Sequence, residues 1–188
     1  MQEISSFRNQ LLIAMPNLKD PNFFHSVTFV CQHNSEGALG LVINHPTSMV
    51  LGDILEQMDI IVEDEKIAKI PVFAGGPVQQ ERGFVLHQTS EELWESTIAV
   101  SGTLSLTTSR DILKAIALGK GPAKFLIALG YAGWGEEQLE TEMKANAWLS
   151  TRYDESVVFD TPISQRWNVA AHKMGLDINL LSTQVGHA

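Results

Sequence analysis

Lys124 to Leu149 reads KFLIALGYAGWGEEQLETEMKANAWL, an apolar strand-like run that breaks into three glycines and a tryptophan and then into a strongly acidic helix. Gly130, Gly133 and Gly135 give a G-x-x-G-x-G spacing between strand and helix, where backbone N–H groups can cradle a phosphate. That chemistry fails here. The spacing is not that of a dinucleotide fingerprint, no Lys-Ser/Thr pair follows, and Glu136, Glu137, Glu140 and Glu142 crowd the helix start. Carboxylates there already occupy the favourable end of the helix dipole and would repel a phosphate. Two readings remain. In the first, the glycines permit tight backbone turns while Trp134 and Trp148 pack over the helix. In the second, Tyr131 and Trp134 wall an exposed groove, with Gln138, Glu140 and Asn146 as polar contacts for a neutral or cationic ligand or a peptide.

Outward from this stretch, FAGGPVQQERG places Gly75 and Gly76 before Pro77, enough for a sharp turn or a close backbone approach, and Arg82 makes it a second binding-edge candidate. Asp20, His33, Asn34, Asn44 and His45 fall in loops of the first third. Asp20 before Pro21, and Asn44 before His45-Pro46, have a local use, because short polar side chains bond nearby backbone and proline fixes the turn. Cys31 and His33 sit two apart on one expected strand, sharing a face roughly 7 Å apart, too far for a thiol-imidazole nucleophile. Cys31 reads as an inert core residue. The six histidines show no ligand spacing, so neither a metal nor another cofactor is called for.

Strand and helix signals interleave along the chain. Gln10 to Met15, Ser26 to His33, Ala38 to Asn44, Pro71 to Ala74, Gly83 to His87 and Ile98 to Leu106 read as strands, the second and third as an antiparallel hairpin across Gly37. Gly102 inside the last run suggests a bulge. Leu51, Ile54, Leu55 and Met58 fall at helical spacing after Pro46. A further helix is signed by Thr108 and Asp111 at capping spacing, Ile112, Ala115 and Ile116 on one face, and Gly119 as its stop. Near the end, Thr161 as N-cap and Pro162 at the first position open a helix with Ile163, Trp167, Ala170, Ala171 and Met174 on one face and Gly175 past its end.

The whole chain bounds the answer. Its 188 residues, 44% hydrophobic, supply one sizeable core, so residues 1–188 are expected to form one domain. Thirteen Lys and Arg against 22 Asp and Glu leave a charge of −9 and a pI near 5.0, a field that repels nucleic-acid backbones and anionic membranes. A lone cysteine rules out an intramolecular disulfide and suits a reducing cytoplasm. The opening MQEISSFRNQLLIAMP has an acidic residue, Glu3, before an apolar run shorter than a signal-peptide core. No stretch approaches the roughly 18 apolar residues that span a bilayer.

LLIAMPNLKDPNF, HNSEGALGLVINHP, AGGPV, GFVLH and ALGYAGWGEEQLETEM followed by NAWL resemble, in order and spacing, the signature blocks of the AlgH/YqgE family. The resemblance covers Leu11 to about Trp167. It implies a single α+β domain with a strongly bent, mostly antiparallel or mixed sheet forming a pseudo-barrel flanked by helices. It implies no reaction, although one family name reflects a proposed role in transcriptional regulation.

Three functions are therefore weighed. A cytoplasmic, non-enzymatic regulatory or binding protein, presenting GYAGWG and GGPV to a protein or small-molecule partner not yet identified, accounts for the lack of a catalytic set. A hydrolase or transferase would need Asp20, Asn44, Gln138, Glu140 and Asn146 to converge in three dimensions, around two carboxylates of raised pKa. A DNA-binding regulator is opposed by the charge and by the absence of a helix-turn-helix signature.

Overall fold

The computed structural model describes residues 6–183; Glu3 and both extremities of the expected 1–188 domain lie outside the described residues. Ten strands form one curled sheet: β1 (Gln10–Ala14), β2 (Val27–Asn34), β3 (Gly37–Val42), β4 (Pro46–Val50), β5 (Pro71–Ala74), β6 (Val78–Gln88), β7 (Thr97–Ala99), β8 (Leu104–Thr107), β9 (Phe125–Trp134) and β10 (Trp148–Arg152). Six α-helices flank it: α1 (Leu51–Gln57), α2 (Glu65–Ala68), α3 (Arg110–Ala117), α4 (Gln138–Lys144), α5 (Arg166–His172) and α6 (Ile178–Thr183). The fold is α+β with a strongly bent, mixed sheet, as the family resemblance implies.

The sheet runs β10-β1-β2-β3-β9-β6-β8-β7, with β4 and β5 joined on beside β9. All its pairings are antiparallel except β5 with β9. β9 is the hub. Ile127 to Leu129 pairs with β5 on one side and with β6 on the other, whereas Ala132 to Trp134, beyond Gly130, pairs with β3. One strand thus changes neighbours half-way along, and the sheet curls there.

Alternation along the strands divides the interior into three apolar layers. Leu11 and Ile13 of β1 face a central core with Phe29, Leu41, Phe84, Leu86 and Trp167, while Leu12 and Ala14 face a second core with Val30, Trp134, Leu139 and Trp148 beneath α4. Leu126 and Ala128 of β9 join the central core, and Ile127 points the other way, to Leu51, Leu55, Ile112 and Ile116 of α1 and α3. Strands covered on both faces read as unbroken apolar runs, which is why LLIA and FLIAL lack polar alternation.

Several expectations need correction. The segment after Pro46 is first a strand, β4, pairing with β5, and α1 begins only at Leu51. Ile98 to Leu106 is not one bulged strand but the hairpin β7–β8, with Gly102 in its turn. The cap of α3 is Ser109 rather than Thr108; Ser109 donates to Asp111, whose carboxylate also takes the Glu95 N–H. The last predicted helix starts late, because Ser156–Asp160 forms a π-helical turn that Thr161 closes by donating its hydroxyl and N–H to the Ser156 carbonyl. A 3-10 turn at Ile163–Gln165 intervenes before α5. Gly119 and Gly175 end their helices at φ +72° and +76°, the left-handed stop expected of them.

Candidate functional site

Gly130 to Trp134 is strand, not loop, and Gly135 follows directly after it. Gly130 adopts φ +74°, and a Cβ there would lie 2.5 Å from the Gly76 carbonyl oxygen. Gly75 and Gly76 approach just as closely from the other side of the crossing: a Cβ on Gly75 would meet the Gly130 carbonyl at 2.4 Å, and one on Gly76 the Tyr131 carbonyl carbon at 2.1 Å. The Gly75 N–H donates to Leu129, and its carbonyl accepts from Val42. GGPV and GYAGWG therefore lie together, as a backbone crossing that only glycines permit. Pro77 stands exposed beside it.

The aromatic and polar residues of this stretch find partners within the fold. Trp134 is 5% exposed and packs on Phe23 and Trp148, so most of the ring is core, while it also borders, with Tyr131, a shallow surface depression. The reason is the strand period, which turns Trp134 beneath α4 with Leu139. Its indole N–H and that of Trp148 both donate to Oε2 of Glu142, whose Oε1 accepts from Gln138. Gln138 in turn accepts the Gly135 N–H. Asn146 is exposed at φ +57° and terminates α4. Tyr131, Gly133 and Trp134 border this depression of about 390 Å³, but its polar residues are Gln32, Asn34 and Glu36, not Gln138, Glu140 and Asn146.

Glu140 instead meets His33. A bulge after Val30 shifts the β2 register, so His33 pairs with Ala38 on the α4 side while Cys31 stays in the central core. The two do not share a face, contrary to the simple alternation expected. The Phe7 N–H donates to His33 Nδ1 at 2.9 Å; the 2.8 Å bond to Glu140 is therefore donated by Nε2–H.

Asp20 and Asn44 serve local backbone. Asp20 accepts the Asn22 N–H, and the Asn44 amide accepts from Val27 and donates to the His25 carbonyl. Their neighbours converge, since Pro21, Asn22, His45, Gly76 and Gln80 line one small cleft of about 290 Å³. The fold thus gathers KDPNF, NHP and GGPV, blocks far apart in sequence, around one polar depression.

Sequence reasoning missed one cavity. A cleft of about 550 Å³ opens between α1, α3 and the outer face of β6 and β9, lined by Met49, Ile54, Met58, Phe84, Leu113 and Leu129. Arg82, Arg110 and Glu81 line it too. No local signal marks it, because its walls come from separate segments that only folding assembles; the apolar faces of α1 and α3 were visible, but not the gap between them.

Beside it lies a buried hydrogen-bond chain. His87 Nδ1–H donates to the Gln88 carbonyl at 2.8 Å, so Nε2 accepts the Thr107 hydroxyl at 2.7 Å, and Thr97 is 2.8 Å from Thr107. Burial lowers the His87 pKa against the opposing pull of the Gln88 carbonyl. This resembles a base and hydroxyl pair, but Thr107 is fully buried. Asp111 and Asp154 both have lowered pKa values, held down against desolvation by hydrogen bonds within the fold. Among the described residues no three His, Cys, Asp or Glu side chains gather around a metal-sized space, and no helix is long and apolar enough to cross a membrane.

The AlgH-like family model matches residues 11–179. The chain belongs to the AlgH-like family. It is 55% identical over 188 residues to a UPF0301 protein of Thioalkalivibrio sulfidiphilus, covering all of both chains. The solution structure of the AlgH protein from Pseudomonas aeruginosa superposes with a TM-score of 0.79 at 44% identity, covering 100% of this chain and 99% of that one. Protein DIP2367 from Corynebacterium diphtheriae shares the fold, with a TM-score of 0.73 at 15% identity over 93% of this chain and 90% of that one. AlgH-like membership thus rests on sequence and structure together, and it carries the fold without a reaction.

Proposed function

We propose that the protein is a non-enzymatic regulatory protein of the cytoplasm that acts by binding a small ligand, and that the cleft between α1 and α3 receives it. One observation carries the reading: this cleft combines an apolar lining with a volume inside the roughly 300 to 1,000 Å³ usual for small-molecule sites. In GYAGWG, by contrast, the Trp134 indole N–H and the Gly135 N–H are taken up by Glu142 and Gln138 of α4. The KDPNF, NHP and GGPV depression supports a second reading, a partner-binding edge, because three separate blocks supply its walls. Direct DNA contact suits neither site in a chain of charge −9.

The test fills the cleft. Ligand-observed NMR against a library of small apolar compounds should show saturable binding to the wild type, lost in Leu113→Trp when that variant retains the wild-type amide spectrum outside the cleft. A folded Leu113→Trp protein that keeps every ligand would remove the cleft from consideration and leave the second depression as the candidate.

A further inference from the structure

Building on the reading of this cleft as a ligand site, we infer that its ligand is an amphipathic anion, with an apolar body and a single carboxylate or phosphate head gripped by Arg82 and Arg110. Both guanidinium groups stand at the cleft wall. That of Arg110 donates to the carbonyl of Met58, and that of Arg82 lies 5.3 Å over the ring of Phe84; Met58 and Phe84 are both lining residues. Neither arginine forms an ion pair with a described residue, in a chain where acids outnumber bases by 22 to 13.

Each guanidinium carries five N–H donors in a fixed fork. Arg110 spends one on Met58 and Arg82 one on the Gln79 side chain. The remaining donors match the paired oxygens of a carboxylate or phosphate, which a lysine ammonium would meet only as a point charge. Two acids bear on the head position. Glu81 also lines the cleft, and it disfavours an anion there. Asp111, next to Arg110, directs its oxygens at the Glu95 N–H, the Ser109 hydroxyl and the Ile112 N–H. Two cations against one available carboxylate leave the cleft mouth net positive. The apolar body is matched by Met49, Ile54, Leu113 and Leu129, and the unbranched Met49 chain accepts varied shapes.

The experiment titrates the protein calorimetrically with decanoate, decyl phosphate, decanol and decylammonium, all below their micellar concentrations. Decanoate or decyl phosphate should bind about tenfold or more tightly than decanol, the scale of a charge-assisted fork, and comparison of the two heads separates a carboxylate site from a phosphate site. Arg82→Gln with Arg110→Gln should erase that preference while leaving decanol affinity unchanged; Arg110→Lys should recover only part of it. Equal binding of decanol and both anions would overturn the anionic head while leaving the apolar cleft standing. Preference for decylammonium would overturn it in favour of Glu81. Binding of none of the four, with the amide spectrum intact, would remove the cleft reading itself.

Discussion

Trp134 and Trp148 share one acceptor: their indole N–H groups donate to the same Oε2 of Glu142, at 3.0 and 2.9 Å. The two rings meet edge to face 6.1 Å apart, and come from β9 and β10, opposite ends of α4 in sequence. One carboxylate therefore ties the helix to both strands. Glu142→Ala strands two largely buried donors, and should destabilise by about 2 to 4 kcal/mol, given the usual worth of hydrogen bonds to a charged group. Glu142→Gln keeps an acceptor oxygen and should cost less than half as much. Urea midpoints at constant slope measure both; equal midpoints for wild type and Glu142→Ala would dissolve the role assigned to this carboxylate.

Trp134→Ala is a packing test. With the ring buried against Phe23, Leu139 and Trp148, its truncation should cost about 3 to 5 kcal/mol, as for other core aromatics. Glu140→Gln should be mild, below about 1 kcal/mol, because the amide oxygen still accepts from His33 Nε2–H. A Trp134→Ala protein as stable as wild type would restore the ring to a binding role.

Gly130 and Gly119 have nearly the same backbone, φ +74° and +72°, in different company. A Cβ on Gly119 meets nothing within 4 Å, so Gly119→Ala should cost only the left-handed penalty of about 1 to 2 kcal/mol. On Gly130 it meets fixed backbone of Gly76 and Val78, so Gly130→Ala should exceed about 3 kcal/mol. Thermal unfolding of the pair checks the ranking. Similar losses at the two sites would show that the crossing of GGPV and GYAGWG yields to a methyl group.

Acid should weaken the fold through Asp154. Desolvation pushes this carboxyl up, but Lys173, the Ser156 hydroxyl and the Val157 N–H outweigh it and hold the pKa down at about 2. A folded value below the unfolded value of about 3.9 stabilises the protein fully above that pH. The contribution disappears as pH falls from there through about 2. Lowered Asp111 acts in the same direction. Stability measured from pH 7 down to 2 should decline less steeply in Asp154→Asn, which begins from a lower value at neutral pH. Parallel curves for the two proteins would contradict this assignment.

Cys31 should be silent toward thiol reagents. It is fully buried in the central core, burial pushes its thiol pKa far up, and its Sγ lies 3.8 Å from the Phe29 carbonyl. Modification by an aromatic disulfide reagent should follow the unfolding rate and remain unmeasurably slow under native conditions. Fast native labelling would place the thiol elsewhere.

Local chemistry was legible where a single short pattern decides the outcome. Pro71 to Ala74 is a strand because β-branched and apolar residues stand between a proline and a glycine pair, and Gly119 ends α3 because glycine alone reaches its φ without strain. Both are local effects. The π-helical turn at Ser156–Asp160 escaped because Thr161, which looks like a helix N-cap, bonds backwards to Ser156. His33 escaped for a similar reason, since a bulge at Cys31 inverts an alternation that sequence counting assumes is regular.

The sequence by itself determined the hairpin of β2 and β3 and most strands of the sheet, because hydrophobic periodicity and the glycine and proline positions act over a few residues, and its motif blocks, through their resemblance to a known family, implied the fold class. It also showed where glycines matter. Only the tertiary structure decided why they matter: Gly75 and Gly76 touch Gly130 and Tyr131 across more than fifty residues of chain. It alone paired His33 with Glu140, gave Glu142 two indoles, and opened a cleft between Arg82 and Arg110. Those relationships depend on which surfaces meet when the sheet curls at β9, and burial is a property of the assembled chain rather than of any segment within it.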